Sequence, residues 1–103
     1  MDDSLLIMLT SMPSTEAAEG LAGVLIDERM AACVQLLPAV LSIYRWQGQR
    51  VRESECLMLI KTRTSLAARC QQRIAALHPY ECPEIVSLHP DGVNSSYARW
   101  LLE

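Results

Sequence analysis

The stretch ACVQLLPAVLSIYRWQGQRVRESECLMLIKT, residues 32–62, decides the fold. It contains two runs of strand-forming residues, 32–46 and 51–62, joined by a four-residue link that includes a glycine. A link of this length between two such runs predicts a β-hairpin. Pro38 lies inside the first run, and because proline cannot donate a ladder hydrogen bond, it predicts a bend or bulge at that point.

The segment before the hairpin predicts one strand and one helix. Residues 4–10 form a continuous apolar run, short enough for a buried strand. Pro13 should end this strand, and either Ser14 or Thr15 should cap the helix that follows, since both side chains can accept a hydrogen bond from the first helical turn.

The segment after the hairpin repeats this alternation. Thr64 or Ser65 is predicted to cap a second helix, and Pro79 should end it, because the residue before a proline is pushed out of the helical region. A strand over residues 84–89 and a short terminal helix over residues 94–102 complete the chain.

The resulting order of strand, helix, strand, strand, helix, strand is the split βαβ pattern of a ferredoxin-like α+β sandwich, followed here by a short C-terminal helix. The chain has 103 residues, and we expect one domain spanning residues 1–103. At about 3.3 Å per residue, the hairpin arms would extend roughly 40 Å. A chain of this size has a radius of gyration of about 13 Å. The tip should therefore project, exposing Tyr44, Trp46 and unpaired strand edges that favour self-association.

Composition and charge narrow the range of functions. Half of the residues (50%) are hydrophobic and 20% are charged, which is typical of a globular rather than a disordered protein. The net charge is −3 without a long Lys/Arg run, which argues against nucleic-acid and anionic-membrane partners. The first residues, MDDSLLIMLTSM, lack the positive charge and the long apolar run of a signal peptide, so we expect a cytoplasmic location.

Four cysteines are present, Cys33, Cys56, Cys70 and Cys82, and none lies in a CxxC pair. This excludes the zinc-knuckle and thioredoxin motifs, and we expect four reduced, buried cysteines that pack as small hydrophobic residues. Cys82 and His78 are four residues apart, and each is followed directly by a proline, Pro83 and Pro79, so no regular helical spacing aligns them as a nucleophile and its base. The sequence therefore predicts no enzyme.

The stretch LHPYECPE, residues 77–84, has two interpretations. It is first a corner that ends a helix and begins a strand, and second the rim of a binding site between subunits. His78 could bind a soft or borderline metal through its neutral ring, or it could complement the carbonyl end of the helix.

A second candidate group combines acidic, basic and aromatic residues from several segments. Its members are Trp46, Glu55, Lys61, Tyr80, Glu84 and Trp100. Such side chains could orient a small polar ligand in a cleft between subunits. They could equally form a buried ion pair with aromatic packing at a subunit interface, since Tyr and Trp are enriched there without performing chemistry.

Four stretches carry a family resemblance: AACVQLLPAVLSIYRWQGQ at 31–49, ESECLMLIKT at 53–62, LHPYECPEIVSL at 77–88 and YARWL at 97–101. The W-x-G turn at Trp46 and Gly48, the pattern from Glu55 to Thr62 and the HPYE-x-x-E block at 78–84 are specific jointly, whereas each alone would be weak. Together these stretches resemble the CutA family of divalent-cation-tolerance proteins. The resemblance implies a ferredoxin-like homotrimer, similar in build to the PII signalling proteins, in which long hairpins clasp neighbouring subunits.

The resemblance also implies a link to tolerance of copper and other divalent metals. Some members of the family are described as binding copper through a first-strand cysteine and two adjacent histidines. Thr10 and the pair Leu77–His78 stand at these positions here, so His78 is the metal ligand that the resemblance implies. It also implies a non-enzymatic, trimeric protein of metal response that binds copper weakly and requires no cofactor. The alternative is a PII-like signalling module that binds a small metabolite or nucleotide between subunits.

Overall fold

A computed structural model describes residues 3–103 of the chain as a small α+β domain. Its elements, in chain order, are β1 (Leu5–Met12), α1 (Thr15–Asp27), β2 (Cys33–Trp46), β3 (Gln49–Arg63), a 3-10 turn (Thr64–Leu66), α2 (Ala67–Leu77), β4 (Val86–Leu88) and α3 (Ser95–Leu101). The strands form one sheet in the order β2-β3-β1-β4, and every neighbouring pair is antiparallel. This is the strand order of the predicted split βαβ pattern.

The hydrophobic core lies between one face of the sheet and the helices α1 and α2. The alternation of side chains along each strand places every second residue on this face. The sheet contributes Leu6, Met8, Met12, Cys56, Met58 and Ile60, and the helices contribute Ala18, Leu21, Leu25, Cys70 and Ile74. We call this the covered face of the sheet, and its opposite the open face.

The β2–β3 hairpin turns through two residues, Gln47 and Gly48, with φ of 51° and 79°. Positive φ at both positions matches the twist of the flanking strands and is typical of the tightest hairpins. The predicted hairpin is therefore confirmed with a shorter link, because β3 begins at Gln49 rather than Val51. The predicted irregularity at Pro38 is confirmed as well, as a register shift between Leu37 and Val40.

The hairpin extends beyond the rest of the sheet. β1 pairs with β3 only as far as Cys56, so residues 49–55 of β3 pair with β2 alone. The protein measures 44 × 27 × 23 Å, with a Cα radius of gyration of 14.4 Å. At the projecting end Tyr44 is 39% exposed and Trp46 44% exposed, which confirms the predicted exposure of the tip.

Three local predictions were wrong: the cap of α2, the burial of Cys82 and the burial of Cys33. Thr64 and Ser65 do not cap α2, since both bond the Asp3 carboxylate and form a 3-10 turn, and the helix begins at Ala67. Cys82 is exposed and Cys33 half-buried, because the first lies in a surface loop and the second near an edge of the sheet, so only two of the four cysteines are core residues.

The boundaries of other elements moved by one or two residues. β1 continues to Met12 and β4 is limited to Val86–Leu88, while α1 begins as expected with Ser14 accepting a hydrogen bond from the Ala17 N–H. None of the helices in residues 3–103 is both long and apolar enough to cross a membrane.

Candidate functional site

A cavity of about 470 Å³ lies between the projecting part of the hairpin and the segment that follows α2. The hairpin contributes Tyr44, Trp46, Val51, Glu53 and Glu55, the segment after α2 contributes Pro79, Tyr80, Glu81, Cys82 and Glu84, and the end of β1 contributes Ser11. Its volume falls within the range of small-molecule sites, roughly 300–1,000 Å³. The motif 78–84 therefore forms one wall of a cavity, in addition to the corner between α2 and β4.

The bulge in β2 brings the aromatic residues of the hairpin into this cavity. Leu37 lies opposite Leu57, but the next matched pair is Val40 with Glu55, so β2 contains one extra residue. An extra residue reverses which side chains point to a given face. Tyr44 and Trp46 consequently share a face with the glutamates of β3, as the pairing of Tyr44 with Val51 also shows.

Glu55 is the buried acid of the cavity, with only 8% of its surface exposed. The Tyr80 hydroxyl donates a hydrogen bond of 2.6 Å to its Oε2. Burial, and then this bond to Glu55, raise the pKa of Tyr80, so the phenol keeps its proton and remains the donor. The distance is typical of an O–H donor bonded to a charged carboxylate.

His78 lies directly behind the cavity, and both of its ring nitrogens are hydrogen-bonded. Its Nδ1 accepts from the Tyr80 backbone N–H at 3.2 Å. Its Nε2 therefore carries the proton and donates to the Ser11 carbonyl at 2.9 Å, with the Thr10 hydroxyl 3.1 Å away. Burial lowers the pKa of His78, while the Ser11 carbonyl and Glu55 oppose that shift. The ring is consequently neutral at pH 7.

Two further contacts join this region. The His78 and Tyr80 rings lie 4.9 Å apart between centroids, at an angle of 49°. The Ser11 hydroxyl donates to Glu84 Oε1 at 3.0 Å. β1, the loop after α2 and the start of the projecting hairpin are therefore linked by polar contacts at the floor of the cavity.

The structure divides the predicted group of ligand-binding residues into two clusters. Trp46, Glu55, Tyr80 and Glu84 all line the cavity. Lys61 and Trp100 lie in a second cluster with Tyr97, at the opposite end of β3. The Lys61 Nζ is 5.4 Å from the Tyr97 ring centroid, and the Tyr97 and Trp100 rings are 5.7 Å apart. Within one chain the predicted set therefore does not form one site.

Tyr44, Ser11 and Glu53 are among the cavity residues that the predicted ligand-binding group did not include. Tyr44 was not predicted because the extra residue at the bulge, which reverses the direction of the side chains that follow, cannot be counted from the sequence. Ser11 was not predicted because the sequence placed the end of β1 at residue 10, and the strand continues to Met12. Glu53 could have been predicted, because it lies two residues from Glu55 on the same strand and therefore points to the same face. Burial, and then the neighbouring carboxylate of Glu53, raise the pKa of Tyr44.

The charge of the cavity is uniform. Among the described residues, its lining includes the carboxylates of Glu53, Glu55, Glu81 and Glu84, and no lysine, arginine or histidine side chain. The two ion pairs found in residues 3–103, Arg63–Asp3 and Arg73–Glu28, lie elsewhere. The cavity therefore presents unpaired negative charge.

Neither a preformed metal centre nor a catalytic pair is evident in the part of the chain that the structure describes. No group of three or more His, Cys, Asp or Glu residues between positions 3 and 103 is arranged to hold a metal ion. The ring of His78 contacts Thr10, Ser11 and Tyr80 rather than Cys82. The arrangement thus offers charge and aromatic surface rather than a nucleophile with its base.

Comparison with known proteins gives consistent matches. Residues 6–103 match the family model described as the CutA1 divalent ion tolerance protein. A divalent-cation tolerance protein CutA of Thermus thermophilus is 45% identical over 97 residues, covering 94% of each chain. A chloroplastic protein CutA 1 of rice is 38% identical over 96 residues, which cover 93% of this chain but only 54% of that protein.

A solved structure agrees with the fold described above. The divalent cation tolerance protein of Thermus thermophilus superposes with a TM-score of 0.89 and 44% identity, covering 94% of both chains.

Proposed function

Because this chain belongs to the CutA1 divalent ion tolerance family, we propose that it is a non-enzymatic, homotrimeric protein that responds to divalent cations and binds copper weakly. The observation that supports a preference of this protein for cations is the cavity itself, whose described lining contains four carboxylates and no basic side chain. Unpaired negative charge within low-dielectric walls raises the local concentration of cations.

The same observation speaks against the alternative of a nucleotide-binding signalling module. Nucleotides present phosphate groups, and proteins hold phosphate with Arg, Lys or the N-terminal N–H groups of helices. The described lining supplies none of these side chains, and it would repel a phosphate through Glu53 and Glu55.

His78 is the proposed copper ligand, and its environment accounts for weak binding. Copper would bind the Nδ1 lone pair, because Nε2 holds the proton. It must then displace the Tyr80 N–H, whose 3.2 Å bond is longer than the 2.9 Å bond between Nε2 and the Ser11 carbonyl. A tight site needs further ligands, and a single histidine does not provide them.

Copper titration by calorimetry tests this assignment. The change His78→Ala should weaken binding at pH 7.5 at least several-fold, whereas His89→Ala, which removes the other, exposed histidine, should not. Binding at His78 requires the neutral ring, whose pKa is lowered below the ordinary value of about 6.5, so affinity should fall only as pH drops below that value. Unchanged affinity in His78→Ala would remove His78 from the site.

The proposed trimer has two supports within the chain. The projecting hairpin leaves strand edges unpaired, and a closed ring of copies would satisfy each edge without open-ended growth. The open face of the sheet also carries exposed apolar side chains, including Leu37, Val86 and Leu88. The number three is implied by the family resemblance. Light scattering at micromolar concentration should give about three times the 11.5 kDa chain mass, and a value near 11.5 kDa would reject assembly.

The proposed location is the cytoplasm, with no nucleic-acid or membrane partner. The net charge of −3 supports the expected lack of nucleic-acid and anionic-membrane partners. The rice relative is named as chloroplastic, so family members occupy different compartments, and fractionation of the native host would test the location of this chain.

A further inference from the structure

The carboxylates of the cavity attract cations in general, but within residues 3–103 they do not form the converging set of ligands that holds a divalent metal tightly. A divalent metal needs several ligand atoms converging at roughly 2.0–2.6 Å. Two of the carboxylates are already committed on one oxygen, since Glu55 Oε2 accepts from Tyr80 and Glu84 Oε1 accepts from Ser11. No set of three metal-ligating residues converges within residues 3–103.

Glu55 is a buried acid that has no ion-pair partner among the described residues. It is nine-tenths buried and lines the cavity, yet no arginine, lysine or histidine in residues 3–103 forms an ion pair with it. Its one hydrogen bond from the described residues engages Oε2, which leaves Oε1 available. Burying a carboxylate without a positive partner costs free energy, and that cost is recovered when a cation enters.

The walls of the cavity specify what kind of cation fits. Tyr44, Trp46 and Tyr80 line the same cavity as the carboxylates and give it aromatic surface. A guanidinium group is planar, stacks on aromatic faces, is weakly hydrated and donates a fork of N–H groups that matches a carboxylate. A metal ion is strongly hydrated and gains little from aromatic rings, whereas a guanidinium uses both features of the cavity.

We infer that this cavity binds a guanidinium group, held by the carboxylates of Glu55 and Glu53 and stacked against Trp46 or Tyr44. This inference rests on the cation preference proposed above and names the chemical class that the cavity selects. It does not involve the ring of His78, so copper binding and guanidinium binding can be measured, and can fail, separately.

A guanidinium could reach the cavity from two sources, and the hairpin itself supplies one of them. Arg45 pairs with Arg50 and Ile43 with Arg52, so all three arginines lie on the hairpin face opposite the cavity. They are exposed and unpaired among the described residues. One face of the hairpin is thus acidic and aromatic and the other basic, as head-to-tail contact between copies requires. The other source is a small guanidinium compound in solution.

The first experiment titrates the full chain with butylguanidinium and follows the fluorescence of Trp46. A Trp100→Phe background isolates this signal, because Trp100 lies in the other cluster. Butylurea is the matched uncharged probe. In the parent chain, or in the arginine variant described below if a neighbouring copy fills the cavity, we expect saturable binding of butylguanidinium roughly ten-fold tighter than of butylurea. Glu55→Gln, which keeps an acceptor for Tyr80, should weaken this binding roughly ten-fold. Glu28→Gln removes a carboxylate outside the cavity and should change nothing. If Glu55→Gln does not fold, Glu53→Gln takes its place.

The second experiment repeats the titration with Arg45, Arg50 and Arg52 all changed to alanine. If a neighbouring copy supplies the group, the parent chain will not bind butylguanidinium, while the triple variant will bind it and show a lower assembly mass. If the source is free in solution, both proteins will bind it equally. The inference is overturned if neither protein prefers butylguanidinium to butylurea, or if Glu55→Gln and Glu53→Gln, made in a protein that binds the probe, leave its affinity unchanged. Copper titration of the same samples reports on the proposed function independently.

Discussion

The two faces of the central sheet carry similar side chains but differ in what covers them. On β3, Met58 and Ile60 point to the covered face and are fully buried, whereas Leu57 and Leu59 point to the open face and are half-buried. Helices α1 and α2 both pack on the covered face. The short helix α3 reaches the open face only near Lys61, at one end of β3.

This difference shows that a hydrophobic residue on a strand is not necessarily buried in the core of its own chain. The open face carries apolar side chains on four strands, and directly paired residues such as Leu37 with Leu57 and Leu9 with Val86 share that face. Contiguous exposed apolar surface is typical of interaction sites, and it is what the proposed assembly would cover. The chain's own helices α1 and α2 thus cover one side of the sheet, whereas much of the other side stays exposed in the single chain.

The largest expected effect is a loss of stability when one of two adjacent residues on opposite faces, Ile60 or Leu59, is changed to alanine. Ile60→Ala should lower the free energy of unfolding by about 2–5 kcal/mol, because it opens a cavity in the covered core. Leu59→Ala should cost less in dilute solution, since Leu59 is half-exposed in the single chain. Urea unfolding measures both. Only the Leu59→Ala cost should grow with protein concentration, as assembly covers the open face. Equal costs at every concentration would contradict the distinction between the faces.

The second-largest effect is expected from a charge added to the open face, which should prevent assembly without unfolding the chain. Leu59→Lys should reduce the mass measured by light scattering toward the 11.5 kDa of one chain, because a buried, unpaired ammonium opposes association. Circular dichroism should still report a folded protein. Gln71→Lys, at an exposed position of α2, is the matched control and should leave the mass unchanged. An unaltered mass in Leu59→Lys would remove the open face from the interface.

A smaller difference in stability is expected between the N-cap residues of α1, on the covered face, and of α3, on the open face. The Ser14 hydroxyl accepts a hydrogen bond from the Ala17 N–H at 3.1 Å and caps α1 on the covered face. Ser14→Ala should therefore cost about 1 kcal/mol. Asn94 precedes α3 on the open face without a side-chain cap bond, so Asn94→Ala should cost less. Thermal unfolding compares the two, and a larger loss in Asn94→Ala would reverse this ranking.

The smallest expected change is a gain in stability. Gly20 lies within α1, is exposed, and a Cβ added there would meet no atom within 4 Å. Gly20→Ala should raise the free energy of unfolding by about 0.5–1 kcal/mol, because alanine loses less backbone entropy in a helix. Gly48→Ala should lower it, since Gly48 has φ of 79° in the hairpin turn. A loss in Gly20→Ala would indicate that another molecule covers this outer surface of α1.

Much of the fold could be predicted because its signals are local. The alternation along β3, the glycine at position 48 and the prolines at positions 13 and 79 act through neighbouring residues, and they correctly predicted the hairpin and the order of elements. Local signals failed at Thr64 and Ser65. Both are good cap residues, yet they bond Asp3, a residue about sixty positions earlier in the chain.

The candidate site was predictable only in part, for the same reason. The acidic and aromatic residue types around Glu55 and Tyr80 pointed to a site, and four of the six predicted ligand-binding residues do line one cavity. Lys61 was grouped with them by residue type alone, but it follows Glu55 by six positions on an extended strand, roughly 20 Å along the sheet.

The sequence by itself determined the order of helices and strands, the long hairpin and the exposed aromatic residues at its tip, because turn chemistry and strand alternation act between near neighbours. Only the tertiary structure decided which face Tyr44 and Trp46 occupy, since one bulge residue reverses their direction. It alone decided that Tyr80 bonds Glu55 across 25 positions, and that the His78 ring donates to Ser11 across 67. Contacts between residues so far apart depend on how the whole sheet and its helices pack, and no short stretch of the chain records that packing.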